Sequence, residues 1–548
     1  MIRGLMRSLL TTVAAVAATT LVCQAEPQPL LTRHLRAVTL SGEAPFVGRL
    51  PAAQNLKIDV VLALRDAAGL ESFLRKIYDP ASALYRQFLT VEQFSEKFGP
   101  TQQDFDTLSR FAKANGFSVR GGSRDAMDLQ LEGSVAAIEA AFHVQMGIYH
   151  DAIENRDFYA PDREPTVELP FQLWHISGLD NYTVPRPALV RRPPGVKPAA
   201  TTGSCPNKAF CGSDMRTAYY EEAVLTGKGQ NIGLLEYFGF DIADLNTYYK
   251  NTHQKRTAAV KGISTDGTSL KCLFSEGCDD TEQTIDMTQA LGMAPGITTL
   301  YVYVGSTDTA LLGSMSSHKP LPLNLSSSWG WFPADPSVDD PYFMRMAAQG
   351  QSFFTAAGDS GEWTPYNDAW EADSAYVISV GGTDLTTKGP AGPWASETVW
   401  TPYGGGGISP DGILVPSWQS IKGVITKANK GSKIYRNGPD VSANANFTFY
   451  VCADQQACTS NLYGGTSFAA PMWAGYLALA NEQAASKGDK PPGFINPTIY
   501  RLGLGSDYNF EFHDITVGNN GFPATKGYDL ASGWGSPSND GLIDALAP

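Results

Sequence analysis

Residues 182–204 read YTVPRPALVRRPPGVKPAATTGS, with five prolines, four basic side chains and no acid. Proline fixes φ and lacks an N–H, and cationic side chains stay in water, so this stretch cannot close a core of its own. A chain interrupted in this way folds as two bodies, and the stretch reads as a tether open to proteolysis. Each side has the material for a core, since the 548 residues are 43% hydrophobic and only 18% charged, which excludes a disordered polymer. The 54 glycines and 35 prolines favour a loop-rich α/β or all-β globule over a coiled coil.

The net charge of −14 is unevenly spread. Residues 1–200 carry 21 basic and 21 acidic side chains, so the whole excess falls in residues 201–548. That surface repels a phosphate-coated partner, and nucleic acid is not expected as a ligand. At the start of the chain, Arg3 and Arg7 precede an apolar run from Leu9 to Val22, followed by the small residues Cys23 and Ala25. Residues 1–25 therefore read as a cleaved signal peptide, because the run falls short of the ~20 residues that a membrane span needs. A monomer that is exported to the extracellular space or periplasm, without membrane attachment after cleavage, is the expectation. Export meets an oxidising compartment. Beyond Cys23 the cysteines fall in neighbouring pairs six apart: Cys205 and Cys211, Cys272 and Cys278, Cys452 and Cys458. Other pairings are combinatorially open, but local closure is the simplest and three disulfides are expected. Zinc would want Cys-x-x-Cys or interleaved histidines, which are missing.

From Leu56 the chain passes through KIDVVLAL, three helical patterns, FSVRGGSRDAMDLQLEG, the helix GSVAAIEAAFH and a last strand, VQMGIYH. That order gives a small α+β body with a mostly antiparallel sheet. It lacks any cluster of catalytic residue types, so the stretch that follows is either a plain tether or a propeptide junction. Beyond it the pattern changes to near-continuous apolar strands ending in small residues: QNIGLLEYFGF, ITTLYVYVG, PLNLSSSWGW, QSFFTAAGDSG and SAYVISVGGTD. Helical segments lie between them, which gives a parallel sheet flanked by helices with function at the carboxyl ends of the strands.

In GGTSFAAPMWAG, Ser467 stands at a glycine-tight turn that leads into a helical pattern. A serine so placed exposes its hydroxyl and aims N–H groups at a bound oxyanion, although an ordinary N-cap serine looks similar. As a nucleophile it needs a base. None of the seven histidines is followed by glycine, and only His253, His318 and His513 lie beyond residue 204. Carboxylates are the available substitutes. Glu282 and Asp286 are four apart and share one face of a helix, with apolar Ile285 and Met287 beside Asp286, where burial would raise a carboxyl pKa.

Glu-x-x-x-Asp before ALGMAPG, then SSSWGW, AAGDSG, GGTSFAAP and a final FHDIT with GYD, together resemble the sedolisin family of serine-carboxyl peptidases. The resemblance implies a subtilisin-like catalytic domain preceded by a small ferredoxin-like α+β propeptide. The corresponding division is a signal peptide over 1–25, a propeptide over 26–183, a linker with the activation cleavage over 184–204 and a catalytic domain over 205–548. Carried over by position, Ser467 is the nucleophile, Glu282 the general base, Asp286 its orienting partner and Asp359 the oxyanion-hole carboxyl, with Glu236 and Trp329 as outer members of the network. One structural Ca2+ is implied, held by Asp514, Asp529 and the main-chain oxygens of Ile515, Thr525 and Gly527. Thr525 stands where relatives often have glycine, and Gly464 where they often have serine.

A carboxyl donates to an oxyanion only while protonated, so an acid optimum is expected. The partners implied are peptide substrates and the chain's own propeptide as intramolecular inhibitor and folding aid. The neutral domain and its basic tail would dock on the acidic catalytic domain and leave as carboxylates protonate. Two other readings stay open at this point. One is a catalytically silent protein that binds calcium and peptides; the other is a subtilisin-type enzyme with an unrecognised histidine base.

Overall fold

The structure, a computed structural model, describes residues 26–196, 201–367 and 370–548. The expected signal peptide, Cys23 and residues 197–200 lie outside the described residues.

In the N-terminal body the strand Asn55–Leu62 buries Leu56, Ile58 and Val60 and sits inside a four-stranded antiparallel sheet. The order is 118–123, 128–134, 55–62, 173–177. Side-chain caps start its helices. Asp66 accepts from Gly69 N ahead of Ala67–Ile77, Thr101 from Asp104 N ahead of Gln102–Ala114, and Ser134 from Ala137 N ahead of Val135–Phe142. The last two helices close a core in which Leu108, Ile138 and Phe142 meet Ile58 and Leu131.

The larger body is built on an eight-stranded sheet. Strands run in the order 259–264, 299–304, 231–236, 324–327, 352–356, 378–387, 394–399, with Val441–Asn444 also pairing with Ile378–Thr387. All pairings are parallel except that of Trp394–Val399. The apolar runs read from the sequence are its central strands, buried on both faces. The edge strands Ala259–Ser264 and Trp394–Val399 were not among the expected runs, because half-exposed polar residues break their apolar pattern. The helix Thr466–Lys487 packs on the sheet and on the helix Thr281–Met293. The three local disulfides, Cys205–Cys211, Cys272–Cys278 and Cys452–Cys458, are formed as expected.

The bodies share a core. The apolar face of Ala67–Ile77 (Leu70, Phe73, Leu74, Ile77) packs into the cluster that holds Tyr342, Phe343 and Ala347 of the helix Pro336–Ala348, and Tyr78 donates to Ala347 O at 2.7 Å. Opposite charges meet across the contact in both senses, with Arg36 of the small body near Asp308 and Asp335 of the large one. Lys319 of the large body pairs with Glu92 at 2.6 Å and Asp125 at 3.1 Å of the small one, while Arg186 pairs back onto Glu154. The proline-rich stretch is also more than a tether. Arg186–Pro187 pairs antiparallel with Trp329–Gly330, and Val190–Arg191 with Tyr463–Gly464. Prolines preset an extended φ, so a segment unable to pack a core is still ready to lie along an exposed strand edge.

Candidate active site

The helix Thr281–Met293 is buried along its whole length although it carries Glu282, Gln283, Thr284, Asp286, Thr288 and Gln289. Helices buried all round are normally apolar all round, so this polar content marks a site. Glu282 and Asp286 sit one turn apart, beside Glu236 at the end of the strand Asn231–Glu236. The string SSSWGW supplies their donors: Ser328 Oγ donates to Asp286 Oδ1 at 2.7 Å and Trp329 Nε1 to Glu236 Oε2 at 3.0 Å. Burial drives all three carboxyls well above their ordinary range, with the Asp286 charge adding to the effect at Glu282 and the Glu236 charge at Asp286. Both carboxyl oxygens of Glu282 are buried without a hydrogen-bond partner.

Ser467 is the second residue of its helix. Pro471 lies four residues further on, in the second turn, and has no N–H to give to the Ser467 carbonyl; Ser328 Oγ stands 3.3 Å from that oxygen instead. Asp359, just past the strand Ser352–Ala356, reaches the same helix end, where its Oδ1 accepts from Thr466 N and Thr466 Oγ1, both at 2.8 Å. Its Oδ2 is buried without a hydrogen-bond partner, and burial pushes the carboxyl up to about 8.

The cleft between these groups is filled by the chain itself. Ser467 Oγ donates to Ala188 O at 2.6 Å, and Ser467 N–H donates to the same oxygen at 3.2 Å. Ala188 N donates to Ser328 O at 2.8 Å and Arg192 N to Leu462 O at 2.8 Å, so the segment pairs with one rim before Ala188 and with the other after it. A Cβ at Gly465 would fall 2.2 Å from Ala188 O and 2.9 Å from Asp359 Oδ2, which requires glycine there and places both oxygens around one point. At Gly464 a Cβ would approach Ala445 O to 2.8 Å, so this chain has closed in on its glycine.

Ser467, Glu282, Asp286, Asp359, Glu236 and Trp329 thus surround one cleft. Ser328, Thr466 and Ala188 join them without having been singled out from the sequence. The first two stand inside the strings already read, where only geometry reveals their partners; Ala188 stands in the stretch read as the linker with the activation cleavage, over 184–204. Histidine takes no part: His318 packs on Tyr301, His513 stacks on Trp394, and among the described residues no histidine hydrogen-bonds to Ser467.

Asp514, Ile515, Thr525, Gly527 and Asp529 lie apart, in one C-terminal loop. Asp529 Oδ2 accepts from Thr525 N at 2.7 Å and Asp514 Oδ1 from Gly527 N at 3.1 Å. Asp529 is fully buried with neutral donors only, and burial pushes it up to about 7. A hard cation suits that donor set, though main-chain oxygens would have to complete it, since no group of three or more His, Cys, Asp or Glu gathers for a metal among the described residues.

A parallel sheet with a serine at the head of the long helix behind it, and an antiparallel body seated on top, defines a subtilisin-like peptidase with an activation domain. The family models agree: that of the pro-kumamolisin activation domain matches residues 43–181 and that of the subtilase family residues 280–493. Kumamolisin of Bacillus sp. (strain MN-32) is 31% identical over 95% of this chain and 97% of that protein, and sedolisin of Pseudomonas sp. (strain 101) is 26% identical over 91% and 87%. The solved structure of Pseudomonas sedolisin, a serine-carboxyl proteinase complexed with two molecules of pseudo-iodotyrostatin, superposes with a TM-score of 0.52 at 26% identity, covering 62% of this chain and 97% of that one. The chain belongs to the sedolisin family: it is a serine-carboxyl peptidase, a hydrolase, and carries its own activation domain.

Proposed function

We propose that the chain is an exported, monomeric zymogen of an acid-active peptidase that cuts itself between Ala188 and Leu189 and then hydrolyses other polypeptides through an acyl-enzyme on Ser467. The observation that carries this reading is the seating of Ala188 O on Ser467 Oγ and N, with the unpartnered Asp359 Oδ2 beside it. In the attack Ser467 Oγ bonds to the carbonyl carbon, its proton passes to Glu282, and the carbonyl oxygen takes the negative charge. Ser467 N–H and the Asp359 Oδ2 proton donate to that oxygen. Collapse breaks the C–N bond, the amine leaves with the proton held on Glu282, and water repeats the sequence to release Ser467.

Asp286 orients Glu282, and Glu236 with Trp329 backs Asp286. Like charges this close cannot all ionise, so the three acids share protons and the member next to Ser467 has to be the charged one. Asp359 has to stay neutral, so the rate falls as pH rises through its titration. Export is supported by the three disulfides, which form in oxidising compartments. One Ca2+ would be held by Asp514, Asp529 and the main-chain oxygens of Ile515, Thr525 and Gly527, where it would offset the buried Asp529 charge.

Incubating the purified precursor at acid and neutral pH, followed by mass spectrometry of the termini, tests the reading. New termini at Ala188 and Leu189 are expected in acid from the native chain, and none from Ser467→Ala. A native precursor that stays whole in acid while still binding calcium would favour the silent binding protein instead.

A further inference from the structure

The two halves of the seated segment are held differently. On the side before the Ala188–Leu189 bond, Arg186 and Pro187 turn their side chains to solvent. On the side after it, Leu189 and Val190 are half-buried, Leu189 against the main core and Val190 against a separate cluster of Trp400, Ala445, Phe447 and Tyr403. The three aromatic rings of that cluster form a box: Trp400 lies 4.9 Å from Tyr403 at 29°, and Phe447 meets Trp400 at 5.6 Å and Tyr403 at 5.4 Å, edge to face in both cases. Trp400 Nε1 donates to Asn446 Oδ1 at 3.1 Å, which fixes the indole. The backbone of Val190 pairs with Gly464, so its register against the box is set by strand pairing. The same three rings also border an open cavity of about 440 Å³ lined further by Val196, Val399 and Val517.

We propose that Trp400, Tyr403 and Phe447 form the subsite for the second residue after the cut bond, and that they select substrate polypeptides with a large apolar or aromatic side chain there. Once the chain's own segment leaves, the box is an apolar surface that a substrate side chain covers again, and burial of such a side chain carries specificity that exposed positions such as those of Arg186 and Pro187 cannot. The inference rests on Ser467 cutting after the residue that occupies the place of Ala188.

The test uses the matured protein and a set of quenched peptides that differ only in the second residue after the cut bond: Phe, Leu, Val, Gly or Asp. The Phe and Leu peptides should exceed the Gly and Asp peptides in kcat/KM by about tenfold or more, and Tyr403→Ala should compress that ratio to within about threefold. The native series needs no variant, so a folding defect in Tyr403→Ala leaves the main comparison intact. Cleavage of all five peptides at similar rates would overturn the subsite while leaving the peptidase reading standing. Cleavage of none would overturn both.

Discussion

Two clusters of buried acids can be set side by side in this molecule. One surrounds Ser467; the other lies where the activation domain meets the catalytic body. There Thr309 Oγ1 donates to Asp59 Oδ2 at 2.6 Å and stands 2.9 Å from Ser177 Oγ, which is 3.4 Å from Asp308 Oδ1. Burial raises Asp59, Asp308 and Asp339 as it raises Glu282 and Asp286. Both places thus hold a hydroxyl next to a desolvated carboxyl, and perturbed titration does not tell them apart. The difference lies around the hydroxyl. Ser467 opens a helix and faces a seated peptide carbonyl with a spare carboxyl oxygen beside it, whereas Thr309 is enclosed between two domains with no peptide bond within its hydrogen bonds. Chemistry needs the cleft as well as the acid.

The sharpest way to break that comparison is to delete each hydroxyl. Ser467→Ala should lower peptidase activity by about 10⁶, as loss of a nucleophile does in serine peptidases, and should abolish self-cleavage. Thr309→Ala, measured after maturation, should leave kcat within about twofold. A large loss of kcat in the matured Thr309 variant would mean that the two clusters are less distinct than their geometry implies.

Asp359 separates the clusters by pH. Asp359→Ala should cost about 10²–10³ in kcat, the usual effect of removing one oxyanion donor. Its carboxyl, held at about 8, donates below that pH and loses its proton above it. The native rate should therefore fall as pH rises through that region, while Asp359→Asn, which donates without ionising, should lose this limb. A high-pH limb that is unchanged in Asp359→Asn would place the titrating group elsewhere.

How much of this was legible beforehand differs by region for physical reasons. Ser467, Glu282 and Asp286 could be read because a glycine-tight helix start and a four-residue helical spacing survive as local strings. The central strands could be read because burial on both faces forces continuous apolar runs. Ser328 and Thr466 could not be given partners, since their hydrogen bonds to Asp286 and Asp359 span 42 and 107 residues. The place of Ala188 was hidden by composition: proline and arginine announce an inability to form a core, yet they also suit an extended strand on an open edge. Val441–Asn444, buried but only four residues long, is too short to carry a period.

A third group of acids, Asp514 and Asp529, tests whether burial without a base signals a cation. Adding calcium at about a hundredfold excess over Kd should stabilise the protein by about 2.7 kcal/mol, and Asp529→Asn should remove that gain. A thermal midpoint that ignores both calcium and chelator would leave Asp529 as a purely structural acceptor of the Thr525, Ala531 and Ser532 N–H groups.

The smallest effect concerns how acid acts on the activation domain. The exposed pair of Glu92 with Lys319 holds the Glu92 carboxyl down to about 2, so its contribution to docking is present above the ordinary carboxyl range and lost as pH falls toward 2. The buried acids work in the opposite sense. Asp59 is raised by burial and by the charge of Asp128, which itself stands at about 6, with Asp308 on the far side and Arg345 near Asp128. To the extent that separation returns these acids to water, the docked state keeps protons that the separated domains give up, so this contribution is present at low pH and is lost as pH rises through about 6. Acid is therefore expected to tighten this part of the contact, so that release in acid would follow from the proposed cut at Ala188–Leu189 rather than from neutralising these carboxylates. In the Ser467→Ala precursor, hydrogen-exchange protection of residues 58–62 and 309–312 should be greater at pH 5 than at pH 7, and Asp59→Asn should flatten the difference by about tenfold for each pKa unit removed. Greater protection at pH 7 than at pH 5 in the parent precursor would return the release step to loss of charge.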